Sequence, residues 1–66
     1  RVLLQLTPLA FAKLPDRDRF VLQAVEVDRR PYREIEQELG LRSGALKMIV
    51  HRARARFQAH LAHLVS

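Results

Sequence analysis

The apolar residues of this chain recur with the period of an α-helix. From Leu46 to Leu64 they are three or four residues apart, which places them along one side of a helix: Leu46, Val50, Ala53, Phe57, Leu61 and Leu64. No stretch of the sequence alternates apolar and polar residues as a half-buried strand does. The pattern therefore predicts an all-α fold.

Proline residues divide the first half of the chain into two predicted helices. Thr7 offers a capping hydroxyl and Pro8 suits the first helical position, so a helix is predicted from about Pro8 to Lys13. The apolar residues 2–6 would extend it backwards as a separate turn. Pro15 ends this helix, and a second is predicted over residues 16–27. Its stripe is formed by Leu14, Val21, Ala24 and Val25, flanked by Phe20 and Leu22.

The second half predicts a short helix, a glycine turn and a long helix. The short helix covers Tyr32 to Leu39, and Gly40 fits the left-handed conformation that closes a helix. Ser43 is predicted to cap the long helix, which runs to about Leu64. A short helix that holds a longer, basic one is a helix-turn-helix. We expect a four-helix domain that contains this motif, without winged elements.

Charge is distributed unevenly along the 66 residues. The net charge is +5, which favours a polyanionic partner such as nucleic acid. All carboxylates lie between Asp16 and Glu38, and none follows Arg42. The long helix is thus basic and free of acidic residues. Because Arg52, Arg54 and Arg56 lack acidic partners on their own helix, they are predicted to face a ligand.

Composition excludes several other classes of protein. The chain has no cysteine, which fits a reducing cytoplasm and rules out a disulfide framework. No apolar run approaches the roughly 20 residues of a membrane span. The sequence begins without methionine, so we expect one domain of a longer protein.

No constellation in the sequence predicts catalysis or a cofactor. His51, His60 and His63 are scattered around their helix and are joined by no cysteine or carboxylate, so we expect surface histidines rather than metal ligands. The acidic residues show no paired arrangement, and a chain this short has little room for a catalytic cleft. Phe11, Phe20 and Phe57 are predicted to be core residues. We expect neither an enzyme nor a small-molecule substrate.

Several short motifs together resemble region four of bacterial sigma factors of the extracytoplasmic-function type. LPDRDR at residues 14–19 is similar to the LPERxR opening of that region. YREI at residues 32–35 resembles the SYEEIA helix. LGL at residues 39–41 resembles LGIS, and SGALK at residues 43–47 resembles VGTVK. HRAR at residues 51–54 matches the same run in that family. The resemblance covers residues 14–64, with residues 1–13 as an N-terminal apolar segment or short helix.

The resemblance implies a domain that reads the −35 promoter element and docks on the flap of the RNA polymerase β subunit. It places four residues at bases or nearby phosphates: Lys47, Met48, His51 and Arg52. It places five near the DNA backbone: Tyr32, Arg33, Arg42, Ser43 and Arg54. From the spacing, Lys47, His51 and Arg54 are expected to share a face opposite the apolar stripe.

The sequence departs from the family pattern at three places. Glu36 replaces a small residue where the two helices approach, so its side chain is expected to point outwards or to widen the helix crossing. Arg29 and Arg30 stand where the family has glycine and leucine. Met48–Ile49 replaces the usual Ser-Arg, which removes one phosphate contact.

Two alternatives to a −35 reader remain open at the level of sequence. One is a transcription regulator of the response-regulator type, which would bind paired half-sites as a dimer. The other is a module that mainly docks on protein, either an anti-sigma factor or polymerase. The apolar residues that motivate the second are Leu3, Leu4, Leu6, Met48 and Ile49.

Overall fold

Four α-helices and one π-helical segment make up the fold. The computed structural model describes residues 2–65, with side chains described from residue 6. The helices are α1 (Val2–Ala12), α2 (Asp16–Leu22), α3 (Tyr32–Leu39) and α4 (Ala45–Val65), and the π-helical segment (Gln23–Val27) continues α2. No strand occurs among the described residues. The predicted all-α, four-helix architecture is confirmed.

Helix α1 begins earlier than predicted and contains Pro8 in its interior. Thr7 therefore lies within the helix, and the prediction that it caps the helix ahead of Pro8 is wrong. Six helical residues precede Pro8. Because proline has no amide hydrogen, the helical hydrogen bond from residue 8 back to residue 4 is missing. Helix α1 packs along α4, and its residue Ala10 is completely buried.

Helix α2 begins after Pro15, as predicted, and its last turn is wider than an α-helical turn. The Asp28 amide donates to the Gln23 carbonyl at 2.9 Å, a bond that spans five residues as in a π-helix. The predicted range of residues 16–27 agrees with α2 and the π-helical segment together. The change of helix type was not predicted.

Two arginine residues, Arg29 and Arg30, shape the connection between the π-helical segment and α3. Arg29 adopts a left-handed conformation with φ of 57°, and the Arg30 amide donates to the Ala24 carbonyl at 2.9 Å. The Arg30 guanidinium hydrogen-bonds Glu38 and Glu34. The bond to Glu38 has the larger effect and the bond to Glu34 the next largest, and both raise the pKa of Arg30 above its usual value. The connection is thus held by polar contacts where the resembling family has an apolar anchor.

The turn after α3 has the geometry that the sequence predicts. Gly40 has φ of 68° and follows the last helical residue. Its amide donates to the Gln37 carbonyl, and the Leu41 amide donates to the Glu36 carbonyl at 2.8 Å. This pair of bonds is a Schellman motif, which closes a helix through a left-handed glycine.

The start of α4 differs from the prediction, because Ser43 does not cap it. The helix begins at Ala45, whose amide donates to the Arg42 carbonyl. The neighbouring amides, those of Gly44 and Leu46, donate to the carboxylate of Glu36 instead. An acidic residue of α3 therefore provides the cap for α4.

The core lies where α2 and α3 pack on the first half of α4. Its buried apolar residues are Leu14, Val21, Leu22, Ala24, Ile35, Leu46, Val50 and Ala53. Farther along α4, Phe57, Leu61 and Leu64 are only half-buried, so the predicted stripe becomes more exposed towards the end of the helix. Phe11 and Phe57 pack against the core. Phe20 is 36% exposed, which makes its assignment to the core wrong.

Candidate nucleic-acid interface

The outer face of α4 presents four of the predicted DNA-contacting residues to solvent. Lys47, Met48, His51 and Arg52 are all exposed. The first three line a shallow depression together with Gly44, at the start of the helix. Within residues 6–65, neither Lys47 nor Arg52 forms an ion pair. These side chains are therefore available to an external anion.

Arg54 lies on the same side of α4 as Lys47 and His51, at helical steps of four and three residues, but it borders the rest of the fold. Its guanidinium forms an ion pair with Glu26 of the π-helical segment, and its side chain lines a groove beside α1. The three residues share a face, as their spacing predicts. At Arg54 this face borders the groove that Phe57 of the apolar stripe also lines, so it does not lie opposite the stripe there.

Arg56 also has an acidic partner that its own helix does not supply. It donates to Asp18 of α2 at 2.8 Å, and Asp18 is only 2% exposed. Arg54 and Arg56 lack acidic partners on their own helix, as the sequence indicated, but each pairs with an acid of another element. Both acids lie at least 28 positions away along the chain, so no local sequence signal could have revealed the pairs.

The residues predicted to contact the DNA backbone occupy the two ends of α3 and the turn. Tyr32 and Arg33 are exposed in its first helical turn, and Arg42 and Ser43 are exposed in the connection before α4. Arg42 and Ser43 directly precede Gly44, which lines the depression on α4. Sequence reasoning thus found exposed positions in the motif, and Arg54 differs from the others in its ion pair with Glu26.

Glu36 is the site residue whose role was misjudged. Its side chain does not point outwards, because it is only 7% exposed. Its Oε2 accepts hydrogen bonds from the Gly44 amide at 2.9 Å and the Leu46 amide at 3.1 Å. Two hydrogen bonds from backbone amides stabilise the buried carboxylate.

Comparison with known proteins identifies the family. The family model described as sigma-70, region 4, matches residues 4–57, which extend from α1 into the second half of α4. The chain belongs to the sigma-70 region 4 family. No curated protein and no solved structure matches the chain.

Membership of the region 4 family assigns a general function to the fold. Region 4 domains bind DNA in transcription, through a helix-turn-helix, as part of sigma factors. The family is one of DNA-binding domains and not of enzymes. In this region 4 domain, α3 and α4 are accordingly the two helices of that motif, and α4 is the recognition helix.

A groove with apolar walls lies away from the outer face of the recognition helix. It is lined by Phe11, Leu22, Val27 and Phe57, and the ion pair between Arg54 and Glu26 lies at the same groove. The apolar surface proposed from sequence is different. Met48 is exposed, but Leu6 and Ile49 are half-buried. The side chains of Leu3 and Leu4 lie outside the described residues.

Two further features of the region 4 domain bear on the other sequence-based expectations. Across residues 2–65, no helix combines the length and the apolar character needed to span a membrane. The same part of the chain contains no group of three histidine or carboxylate side chains placed to hold a metal ion. His51 and His63 are exposed and His60 is half-buried.

Proposed function

We propose that this domain recognises the −35 promoter element as region 4 of an extracytoplasmic-function sigma factor, in the bacterial cytoplasm. The acid-free outer face of the recognition helix carries this proposal, since it exposes Lys47, Met48, His51 and Arg52 together. An exposed basic helix held by a shorter one fits the major groove of DNA. The ordered family motifs that run through residues 14–64 support the specific type of sigma factor.

The proposed base contacts follow from the chemistry of these side chains. Arg52 and Lys47 can donate to guanine O6 and N7, and Met48 can contact a thymine methyl group. His51 lies between Lys47 and Arg52 along the helix and can reach a base edge or a phosphate. Lys47, Met48 and His51 line one depression together with Gly44, which supports a contact surface at the start of α4.

The proposed backbone contacts involve Tyr32, Arg33, Arg42, Ser43 and Arg54. The first four are exposed at the ends of α3 and in the turn. Glu26 accepts from Nε and Nη2 of Arg54, so a phosphate would bind at Nη1 of the same guanidinium. Arg54 therefore joins the DNA contacts only at the edge of the interface.

We propose the apolar groove between α1, the π-helical segment and α4 as the docking surface for the flap of the polymerase β subunit. Its exposed Val27 and half-buried Phe11 and Phe57 supply apolar contacts that leave the outer face of α4 open to DNA. Residues 14–64 then form the DNA-reading unit, and residues 1–13 contribute a wall of the groove. An anti-sigma factor would act by covering either surface.

Selection of binding sites from a randomised duplex pool, at low salt, tests the proposed function. Enrichment of one short, asymmetric site is expected, because a single recognition helix reads one stretch of major groove. A palindromic site would instead identify the dimeric regulator of the response-regulator type, to which the family match gives no support. Binding without enrichment would overturn base reading and leave protein docking as the main function.

Arg52→Ala is expected to weaken binding to the selected site by ~1–3 kcal/mol, the contribution of a bidentate contact to guanine. The substitution should also relax the sequence preference at one base pair. Titration of labelled duplexes that vary at each position measures both effects. Arg17→Ala is the matched control, because it removes the same charge from an exposed position of α2. Equal losses for the two variants would contradict the role of Arg52.

A further inference from the structure

Glu36 contacts both sides of the turn between α3 and α4. Its backbone carbonyl accepts from the Leu41 amide at 2.8 Å, which closes α3. Its carboxylate accepts from the Gly44 and Leu46 amides, at 2.9 and 3.1 Å, where α4 begins. Glu36 therefore fixes both the end of α3 and the start of α4.

The geometry of this contact depends on the left-handed glycine before α4. Gly44 has φ of 88°, a conformation that residues other than glycine rarely adopt. The Gly44 amide and the Leu46 amide both reach the same oxygen of Glu36. A buried carboxylate that accepts two such bonds has few alternative positions, because losing either bond would leave polar groups unpaired.

The same contact changes the electrostatics at the start of the recognition helix. The first amides of a helix carry a partial positive charge and attract anions such as phosphate. Here two of these amides already bind an internal carboxylate. A phosphate that approached Arg42 and Ser43 would meet a neutralised helix terminus.

We infer that Glu36 is a positioning residue for DNA reading, which fixes the start of the recognition helix and prevents its amides from binding a phosphate. Affinity then depends on side chains of the recognition helix rather than on its backbone terminus. The inference rests on the proposed function for its effect on DNA binding. Its structural part, the cap itself, can be tested without DNA.

Glu36→Gln tests the electrostatic effect, because glutamine retains an oxygen that accepts from the amides but carries no charge. It is expected to raise affinity for all duplexes about two- to fivefold at low salt, the range for one charge at a helix N-terminus. Asp28→Asn is the matched control, since it removes one negative charge from an exposed residue before α3. Equal increases for the two variants would overturn a local role for Glu36.

Glu36→Ala tests the positioning effect. Amide hydrogen exchange measured by NMR on the DNA-free chain should accelerate at Gly44 and Leu46 at least about tenfold relative to Glu36→Gln. The ratio of specific to non-specific DNA affinity should fall. Unchanged exchange at both amides would overturn the cap. If the parent chain bound no DNA, the proposed function would fail, whereas the exchange measurement would still decide whether Glu36 holds the helix.

Discussion

Asp18 illustrates how a single acidic residue can decide the role of a distant arginine. It lies in the first turn of α2, where the helix dipole favours a carboxylate, and it is nearly inaccessible to water. Its partner Arg56 remains 49% exposed on α4. The pair therefore attaches the recognition helix to α2 and removes one arginine from the charge that α4 offers to DNA.

Arg56→Ala is expected to lower the free energy of unfolding by ~1–2 kcal/mol, because it leaves the buried Asp18 carboxylate without its guanidinium partner. The half-exposed position of Arg56 keeps the effect below that of a fully buried pair. Urea unfolding measures the change. Arg52→Ala serves as the control and should remain within ±0.5 kcal/mol, as is usual for an exposed side chain. Equal effects of both substitutions would mean that the ion pair contributes nothing to stability.

Periodicity could predict which residues of α4 are exposed, because that depends on local spacing alone. The spacing placed Lys47 and His51 away from the apolar stripe, and the family resemblance added Met48 and Arg52; all four are exposed. Periodicity could not predict the partners of Arg54 and Arg56, since these pairs join distant parts of the chain. The orientation of Glu36 was missed although its partners are only 8 and 10 residues away, because they are backbone amides that no residue type signals. The contact of Lys47, Met48, His51 and Arg52 with DNA remains a prediction.

At the scale of secondary structure elements, left-handed residues lie on both sides of α3. Gly40 closes it, and Arg29 lies in the connection that precedes it. A glycine adopts this conformation readily, whereas any other residue is disfavoured in it by about 1–2 kcal/mol. Arg29 stands where the resembling family has glycine, so the chain retains the backbone conformation without the residue best suited to it.

Gly40→Ala should lower the free energy of unfolding by about 1–2 kcal/mol through backbone strain. No heavy atom lies within 4 Å of the added Cβ, so steric overlap adds nothing. Arg29→Gly should raise it by up to about 1 kcal/mol, because the same strain is relieved. Thermal unfolding of both variants measures the two effects. A neutral Gly40→Ala or a destabilising Arg29→Gly would contradict this account.

The ends of the helices were predicted well where glycine or proline acts locally. The range of α3 and its glycine closure agree with the structure. The prediction failed at Pro8 because packing of α1 on α4 outweighs the local preference of proline for a first turn. It also missed the π-helical segment, since no residue type signals a bond across five residues.

At the scale of the whole molecule, the described chain is elongated, with extents of 37 × 18 × 15 Å. The charged outer face of α4 and the apolar groove beside α1 are formed by different sets of residues. Two partners of different chemistry could therefore bind at once. This separation suits a domain that connects promoter DNA to a larger protein.

Val27→Asp is expected to weaken binding to core polymerase about tenfold or more, because it places a charge on the apolar groove. Val27 is 65% exposed, so stability and DNA affinity should change little. Val65→Asp is the control, since that valine is 55% exposed at the far end of α4 and is not part of the groove. Fluorescence titration with core polymerase measures both. Equal losses would place the docking surface elsewhere.

The π-helical segment has a consequence for comparing this chain with its relatives. A π-helical turn contains about one residue more than an α-helical turn, so Gln23–Val27 has the form of a one-residue insertion in an otherwise regular helix. A homologue with one residue fewer there would keep the same core but require an alignment gap between Leu22 and Asp28. Without that gap, every residue on the N-terminal side of the segment would be matched one position out of register, including the buried Asp18.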